Sequence, residues 1–243
     1  MHKAFSDTHH RPFPLPDRKW LMTQTWEDLL FCHWPVSYAV IRKHIPPELE
    51  LDTYEGNCWV GVIPFQVDNM RLRMMPPVPY LQSYLEVNVR TYVTYKGVPG
   101  IYFLSLNADK SLAVFGGRVG ALLPYKGAEI KMVKKGHSVY FESEPCGPDW
   151  MEGNLKLHYQ PVSQSYTPLA GSLEHWLLER YCFFTVRKKK IYRGDIHHTP
   201  WRIKQAKVFI ESFPSHLNDA AVQSPVFHYS HKKQAFMWML TKL

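Results

Sequence analysis

The segment Tyr84-Leu-Glu-Val-Asn-Val-Arg-Thr-Tyr-Val93 decides the fold of this chain. Leu85, Val87, Val89, Thr91 and Val93 alternate with Glu86, Asn88, Arg90 and Tyr92, and successive side chains of a strand point to opposite faces of a sheet. The first set is ready for a core. The second sets a carboxylate, an amide, a guanidinium and a phenol in a row, which is either a solvated outer face or the polar lining of an enclosed sheet. The segment is one arm of a hairpin. Lys96-Gly-Val-Pro-Gly100 suits a five-residue connection into Ile101-Tyr-Phe-Leu-Ser-Leu106.

Strand signals continue on both sides. Trp26 to Trp34 reads as a largely apolar strand ended by Pro35, and Ser37 caps a short helix to about His44, where Pro46 forces Ile45 out of helical geometry. Leu49 to Tyr54 alternates, and Cys58 to Ile63 suits a strand buried on both sides. Residues 69 to 79 form an irregular loop. Its Arg71, Arg73, Met74 and Met75 either flank a pocket mouth or sit on a surface connector. Beyond the hairpin, Leu112 to Phe115 is a strand or the start of a helix, and Gly116, Gly117 and Gly120 permit close backbone approach. They make no phosphate loop, because neither G-x-G-x-x-G nor a Gly-Lys-Ser/Thr ending is present. A second hairpin joins Ile130–Val133 to Val139–Phe141, with Leu155–Tyr159, Lys204–Ile210 and Ala235–Leu240 as further strands. Leu173, Trp176, Leu177, Tyr181 and Phe184 recur at helical spacing, predicting a helix from Ser172 to about Phe184.

Many short strands against two clear helices predict an α+β, mainly antiparallel β domain, and a long antiparallel sheet escapes exposed edges by closing into a cone or barrel. Residues 1–19, with Pro12, Pro14 and Pro16, read as an extended N-terminal arm, and 20–243 as a single domain.

At 243 residues and 45% hydrophobic, the chain has ample apolar surface for a core. It has no apolar run suited to a membrane span and no secretory leader pattern, and Cys32, Cys58, Cys146 and Cys182 show neither C-x-x-C nor disulfide-dense spacing. The expectation is a cytoplasmic protein with free thiols and no membrane association. The net charge of +8 falls mostly in the second half, +1 over residues 1–121 and +7 over 122–243. Much of it lies at Arg187-Lys-Lys-Lys190 and Arg193, where a hairpin turn or an acidic partner accounts for it. No zinc-finger, helix-turn-helix or RNP pattern supports nucleic-acid binding.

No metal and no cofactor are expected. His175 and Glu179 stand one helical turn apart but lack further ligands, and His197-His198 and His228/His231 lack a partner cluster at ligand spacing.

The motifs Trp26 with Leu30-Phe-Cys-His-Trp-Pro35, Glu86 to Val93, Gly100 to Leu106, Leu123-Pro-Tyr125, Glu179-Arg-Tyr181 and His198-Thr-Pro-Trp201 resemble the YqjF-like family, a bacterial domain of unknown function. That family is distantly similar to acetoacetate decarboxylase over about residues 37 to 130. The resemblance implies a closed β-cone with an internal pocket, in which the decarboxylase uses a lysine to form a Schiff base with a β-keto acid. Carried over by position, Glu86 matches the pocket glutamate and Arg118 an arginine before the paired lysines. Tyr125 stands where the Schiff-base lysine would be, and Lys126 where its neighbour would be. Glu27 and Asp28 lie where the other pocket arginine is found.

The expected ligand is therefore a small carbonyl or carboxylate compound in the barrel interior. Glu86 and Lys126 are the catalytic candidates, and Asn88, Arg90, Tyr92, Arg118 and Tyr125 the binding ones. Imine chemistry on Lys126 and a non-enzymatic interaction protein are the alternatives. A homo-oligomer is compatible with the sequence. The bland reading of Glu86 and Arg90 is a same-face pair bridged along the strand wall.

Overall fold

The computed structural model describes residues 2–147, 153–214 and 222–243. Its centre is four long antiparallel neighbours: β1 (Met22–Val36), β3 (Cys58–Leu72), β4 (Ser83–Tyr95) and β5 (Val98–Ala108). The two-residue strand β2 (Glu50–Leu51) pairs with β4. The β4–β5 turn is tighter than the sequence suggests. Tyr95 pairs with Val98, leaving Lys96 and Gly97 with φ of 50° and 76°, and Pro99 already pairs within the ladder. Two left-handed residues make the turn whose twist matches the strands it joins.

After β5 the chain crosses over through α2 (Ser111–Gly120) and returns as β6 (Tyr125–Lys135), parallel to β5. Parallel neighbours need such a crossover, and a helix supplies it. The glycine-rich passage is thus helical, settling what the apolar start at Leu112 left open. β6 continues antiparallel into β7 (Ser138–Pro145), β8 (Leu155–Pro161) and β11 (Lys204–Ser212).

The helix expected from Ser172 to Phe184 stops early. It is α3 (Leu173–Leu178), capped by the Ser172 hydroxyl, which accepts from the His175 amide; Glu179 then leaves helical geometry at φ −86°, ψ 65°. Tyr181 and Phe184 do not continue it, because Cys182–Arg187 forms β9, paired with β10 (Lys190–His197). Cys-Phe-Phe-Thr-Val is rich in aromatic and β-branched residues, which favour a pleated surface. The basic run lies on the expected hairpin turn, with Lys188 and Lys189 both at positive φ.

β12 (Val226–Met237) pairs with β1, β10 and β11, and β13 (Thr241–Lys242) edges β10. Hydrogen-bonded neighbours run from β4 through β3, β1, β12, β10, β9 and β5 back to β4. The return is thin, with two residue pairs at β10–β12 and two at β5–β9. The expected closed cone is therefore a partial ring, because these strands diverge after a brief contact. A short helix, α1 (Tyr38–Arg42), follows β1 and buries Ile41.

The central strands are buried on both faces. Val87, Val89 and Val93 pack with Leu30, Cys32, Trp34, Val60 and Val62 beneath Phe141, Leu157 and Tyr159 of β7 and β8. On the other face Tyr84 and Tyr92 pack with Phe31, Ile63, Phe65 and Phe103 beneath Val114 of α2, Leu177 and Leu178 of α3, and Phe183 of β9. Each fully buried large apolar side chain contributes about 1.5–3 kcal/mol. The face carrying Glu86 therefore faces this second core, with Glu86 4% and Asn88 7% exposed.

The N-terminal arm is not extended throughout. It opens with a 3₁₀ turn at Lys3–Ser6 and docks on the end of β10, where Arg11 Nη1 donates to the Ile196 carbonyl at 2.8 Å.

Candidate functional site

The register of β4 builds the site. Glu86 sits between Phe65 and Ala108, Asn88 between Ile63 and Leu106, and Arg90 beside Gly61 and Phe103. A register shift between Val89 and Arg90 keeps both strands in phase with this face. Beside them, β6 sets Tyr125 against Leu106, so Tyr125 comes up on the Glu86 side. Its hydroxyl donates to Glu86 Oε2 at 2.9 Å. The Asn88 side chain also hydrogen-bonds to this carboxylate. Glu86 and Arg90 are not the bridged wall pair of the bland reading, since Glu86 takes its hydrogen bonds from Tyr125 and Asn88.

Burial raises the Glu86 pKa to about 7, against the opposing pull of the two hydrogen bonds. Desolvation penalises the carboxylate more than two hydrogen bonds favour it. Tyr125 and Tyr84 are pushed well up, first by burial and then by the nearby Glu86 charge, so both remain phenols. Around them, Trp26 Nε1 donates to Gln24 Oε1 at 2.9 Å and Gln24 Nε2 to the Tyr84 hydroxyl at 3.0 Å. Neither was a site candidate from the sequence: Gln24 carried no signal, and Trp26 entered only as a strand residue within the family resemblance.

A second group lies farther along the same face. Arg90 hydrogen-bonds to Tyr92, and the Tyr92 hydroxyl lies 2.8 Å from His33 Nε2. If Tyr92 accepts from Arg90, its proton goes to His33 Nε2, and His33 carries its own on Nδ1. His33 is held neutral, its pKa well lowered by burial and by the positive Arg90. Its ring lies over Gly61, where a Cβ would approach His33 Cδ2 at 2.8 Å. His33 Nδ1, Arg90 Nε, Asn88 Oδ1 and His228 Nδ1 are all buried without a hydrogen-bond partner. Each such group costs about 1–3 kcal/mol unless something completes it.

The remaining sequence candidates lie elsewhere. Lys126 pairs with Asn107, which lies opposite Val87, so it stands on the other face of the sheet from Glu86. Arg118 is exposed on α2; its Nε donates to the Tyr125 carbonyl at 2.6 Å, so it positions the start of β6. It also lines a cavity of about 300 Å³ with Phe103, Leu123 and Thr185. Thr185 Oγ1 reaches the Leu122 carbonyl at 2.9 Å, tying this loop to β9. A buried lysine the sequence did not single out, Lys233, donates to the Pro200 carbonyl at 2.7 Å and has its pKa lowered to about 8 by burial. It lies over the Trp201 ring, 5.2 Å from the centroid, on a strand whose alternation alone gives no sign of that burial.

Comparison with known proteins agrees with this architecture. A family model, DUF2071, described as an uncharacterized conserved protein, matches residues 23–234. The uncharacterized protein YqjF of Bacillus subtilis (strain 168) is 41% identical over 231 residues, covering 94% of this chain and 95% of that one. Among solved structures, the enduracididine biosynthesis enzyme MppR with HEPES buffer bound superposes with a TM-score of 0.64 at 11% identity, over 92% of this chain and 87% of that one. Acetoacetate decarboxylase from Legionella pneumophila gives 0.62 at 13% identity, over 96% and 92%. Identities this low show the fold alone. The chain belongs to the DUF2071 family of uncharacterized conserved proteins and has an acetoacetate decarboxylase-like fold.

Proposed function

We propose that this protein binds a small carbonyl- or carboxylate-bearing compound between β4 and the elements covering its Glu86 face, and that Glu86 exchanges a proton with it. The observation that carries this reading is the buried Glu86 carboxyl, poised at about pH 7 beside the Tyr125 phenol, with Asn88 Oδ1 and Arg90 Nε uncompleted on the same strand. A general acid/base works best with a pKa near the operating pH. Arg90 is suited to a ligand carboxylate, since a guanidinium fork matches two oxygens. Tyr125, whose phenol donates to Glu86 Oε2 in the free protein, becomes a neutral donor for a carbonyl oxygen once Glu86 takes up a proton. MppR has been crystallised with pyruvate and with a condensation product of pyruvate and imidazole 4-carboxaldehyde, which supports keto acids as the class to try first.

This reading is acid/base chemistry without an imine. By the resemblance to acetoacetate decarboxylase Tyr125 stands where the Schiff-base lysine would be, and Lys126 lies on the other face of the sheet from Glu86.

The test is a titration of the purified protein with pyruvate, acetoacetate and simple carboxylates, followed by thermal shift and saturation-transfer NMR. A keto acid should raise Tm in the parent protein, and Glu86→Gln should remove most of that rise while leaving the unliganded fold intact. No shift with any compound, or an equal shift in Glu86→Gln, would overturn the proposal.

A further inference from the structure

The N-terminal arm gathers ligands that the other histidine clusters lack. Asp7 follows the 3₁₀ turn, and a second turn closes over Thr8–Arg11, where the Arg11 amide donates to the Thr8 carbonyl at 3.1 Å. These turns swing both imidazoles onto one carboxylate. Asp7 Oδ1 lies 3.2 Å from His9 Nδ1 and 3.3 Å from His10 Nδ1. All three ligand atoms lie within 4.8 Å of one another.

His10 is oriented for this role. Its side chain is 7% exposed, packed at 5.1 Å from the Tyr181 ring, and its Nε2 lies 3.0 Å from the His198 carbonyl. A carbonyl only accepts, so Nε2 carries a proton, and in the neutral ring Nδ1 presents its lone pair to Asp7. Two acceptors then face each other across 3.3 Å. Both Asp7 Oδ1 and His10 Nδ1 are buried with no hydrogen-bond partner. A proton on His10 or a cation between the groups resolves this. Metal-bound histidines are commonly oriented by such a bond from their second nitrogen.

We propose that Asp7, His9 and His10 form a divalent transition-metal site that pins the N-terminal arm to the end of β10. The donor set, two imidazoles and a carboxylate, suits zinc, cobalt or nickel. With ligand bonds of about 2.1 Å, neighbouring ligands of a tetrahedral ion lie about 3.4 Å apart. The two Asp7 distances already fit. His9, with a side chain 85% exposed, turns freely to adjust the third. Arg11 lies nearby but spends its charge on the Ile196 carbonyl and His197.

The experiment is isothermal titration of Zn²⁺, paralleled by the visible spectrum of Co²⁺, into the full chain at pH 8 in a Cys146→Ser background. That background removes an exposed thiol that would compete for the ion. One ion per chain is expected, with a rise in Tm. His9→Ala, a surface change with little to disturb in the fold, should weaken binding by about tenfold or more, and Asp7→Asn likewise. No stoichiometric binding, or binding unchanged in both variants, would overturn the proposal.

Discussion

Gly117 of α2 lies against the ring of Tyr125: a Cβ built on Gly117 would stand 2.2 Å from Tyr125 Cδ2 and 2.4 Å from Cε2. The absent side chain is what lets the phenol pass beneath the helix to reach Glu86. Replacing Gly117 with Ala should gain up to about 1 kcal/mol of helix propensity but cost about 1–3 kcal/mol in forced repacking of the ring. Urea unfolding should show net destabilisation. Gly116→Ala, where a Cβ meets nothing within 4 Å, should instead stabilise by about 0.5–1 kcal/mol. If both variants moved stability in the same direction, the close packing of Gly117 on Tyr125 would be refuted.

Glu86 makes stability depend on pH in an unusual direction for a carboxylate. Its folded pKa of about 7 lies above the ordinary 4.5, so the folded state holds the proton longer. This contribution is present in full below pH 4.5 and is lost as pH rises to about 7. The loss amounts to about 3 kcal/mol at 1.36 kcal/mol per pKa unit. Glu86→Gln, which cannot ionise, should therefore gain on the parent across that window and stay ahead at pH 8. A constant difference between pH 4 and pH 8 would mean that Glu86 titrates normally.

Asp28 behaves oppositely. Burial alone would raise its pKa, but hydrogen bonds from Lys134 and Tyr229 outweigh burial and lower it. It sits at φ 50° in an irregular stretch of β1, where its backbone carbonyl also accepts from the Tyr159 hydroxyl at 2.7 Å. The stability it supplies is present above the ordinary carboxylate pKa and is lost as pH falls through its lowered one. Asp28→Asn should cost about 1–3 kcal/mol at pH 7 and progressively less as the medium is acidified, as read by chemical unfolding at each pH. A penalty that grew in acid would contradict this sign.

The β9–β10 turn offers a stabilising change. Lys188 and Lys189 hold φ of 50° and 60°, a conformation that costs a residue with a Cβ roughly 1 kcal/mol. The pair Lys188→Asn with Lys189→Gly suits this turn and should raise stability by about 1–2 kcal/mol while removing two charges. A lowered Tm would indicate that the turn is not of this type.

The sequence by itself determined the central strands and their faces. The alternation of residues 85–93 separated Glu86, Asn88, Arg90 and Tyr92 from the valines, because the period of a strand is two and needs no tertiary context. It also placed the basic run on a hairpin turn and marked the glycines before Tyr125 as points of close approach. Whether the polar row met water or a second core was not local information. That followed from the ring of strands, with α2 and α3, folding over the face that carries Glu86. The parallel β5–β6 pairing, set by the crossover through α2, likewise brought Tyr125 to Glu86 and turned Lys126 away, because a one-residue step in register reverses a side chain. The early end of α3 was hidden for a related reason. Tyr181 and Phe184 fit a helical stripe, but β9 begins at Cys182 and pairing with β10 claimed Phe184 for a strand. The acidity of Glu86 was decided last, since a carboxyl near pH 7 comes from the water removed by neighbours more than twenty residues away on β3 and β6.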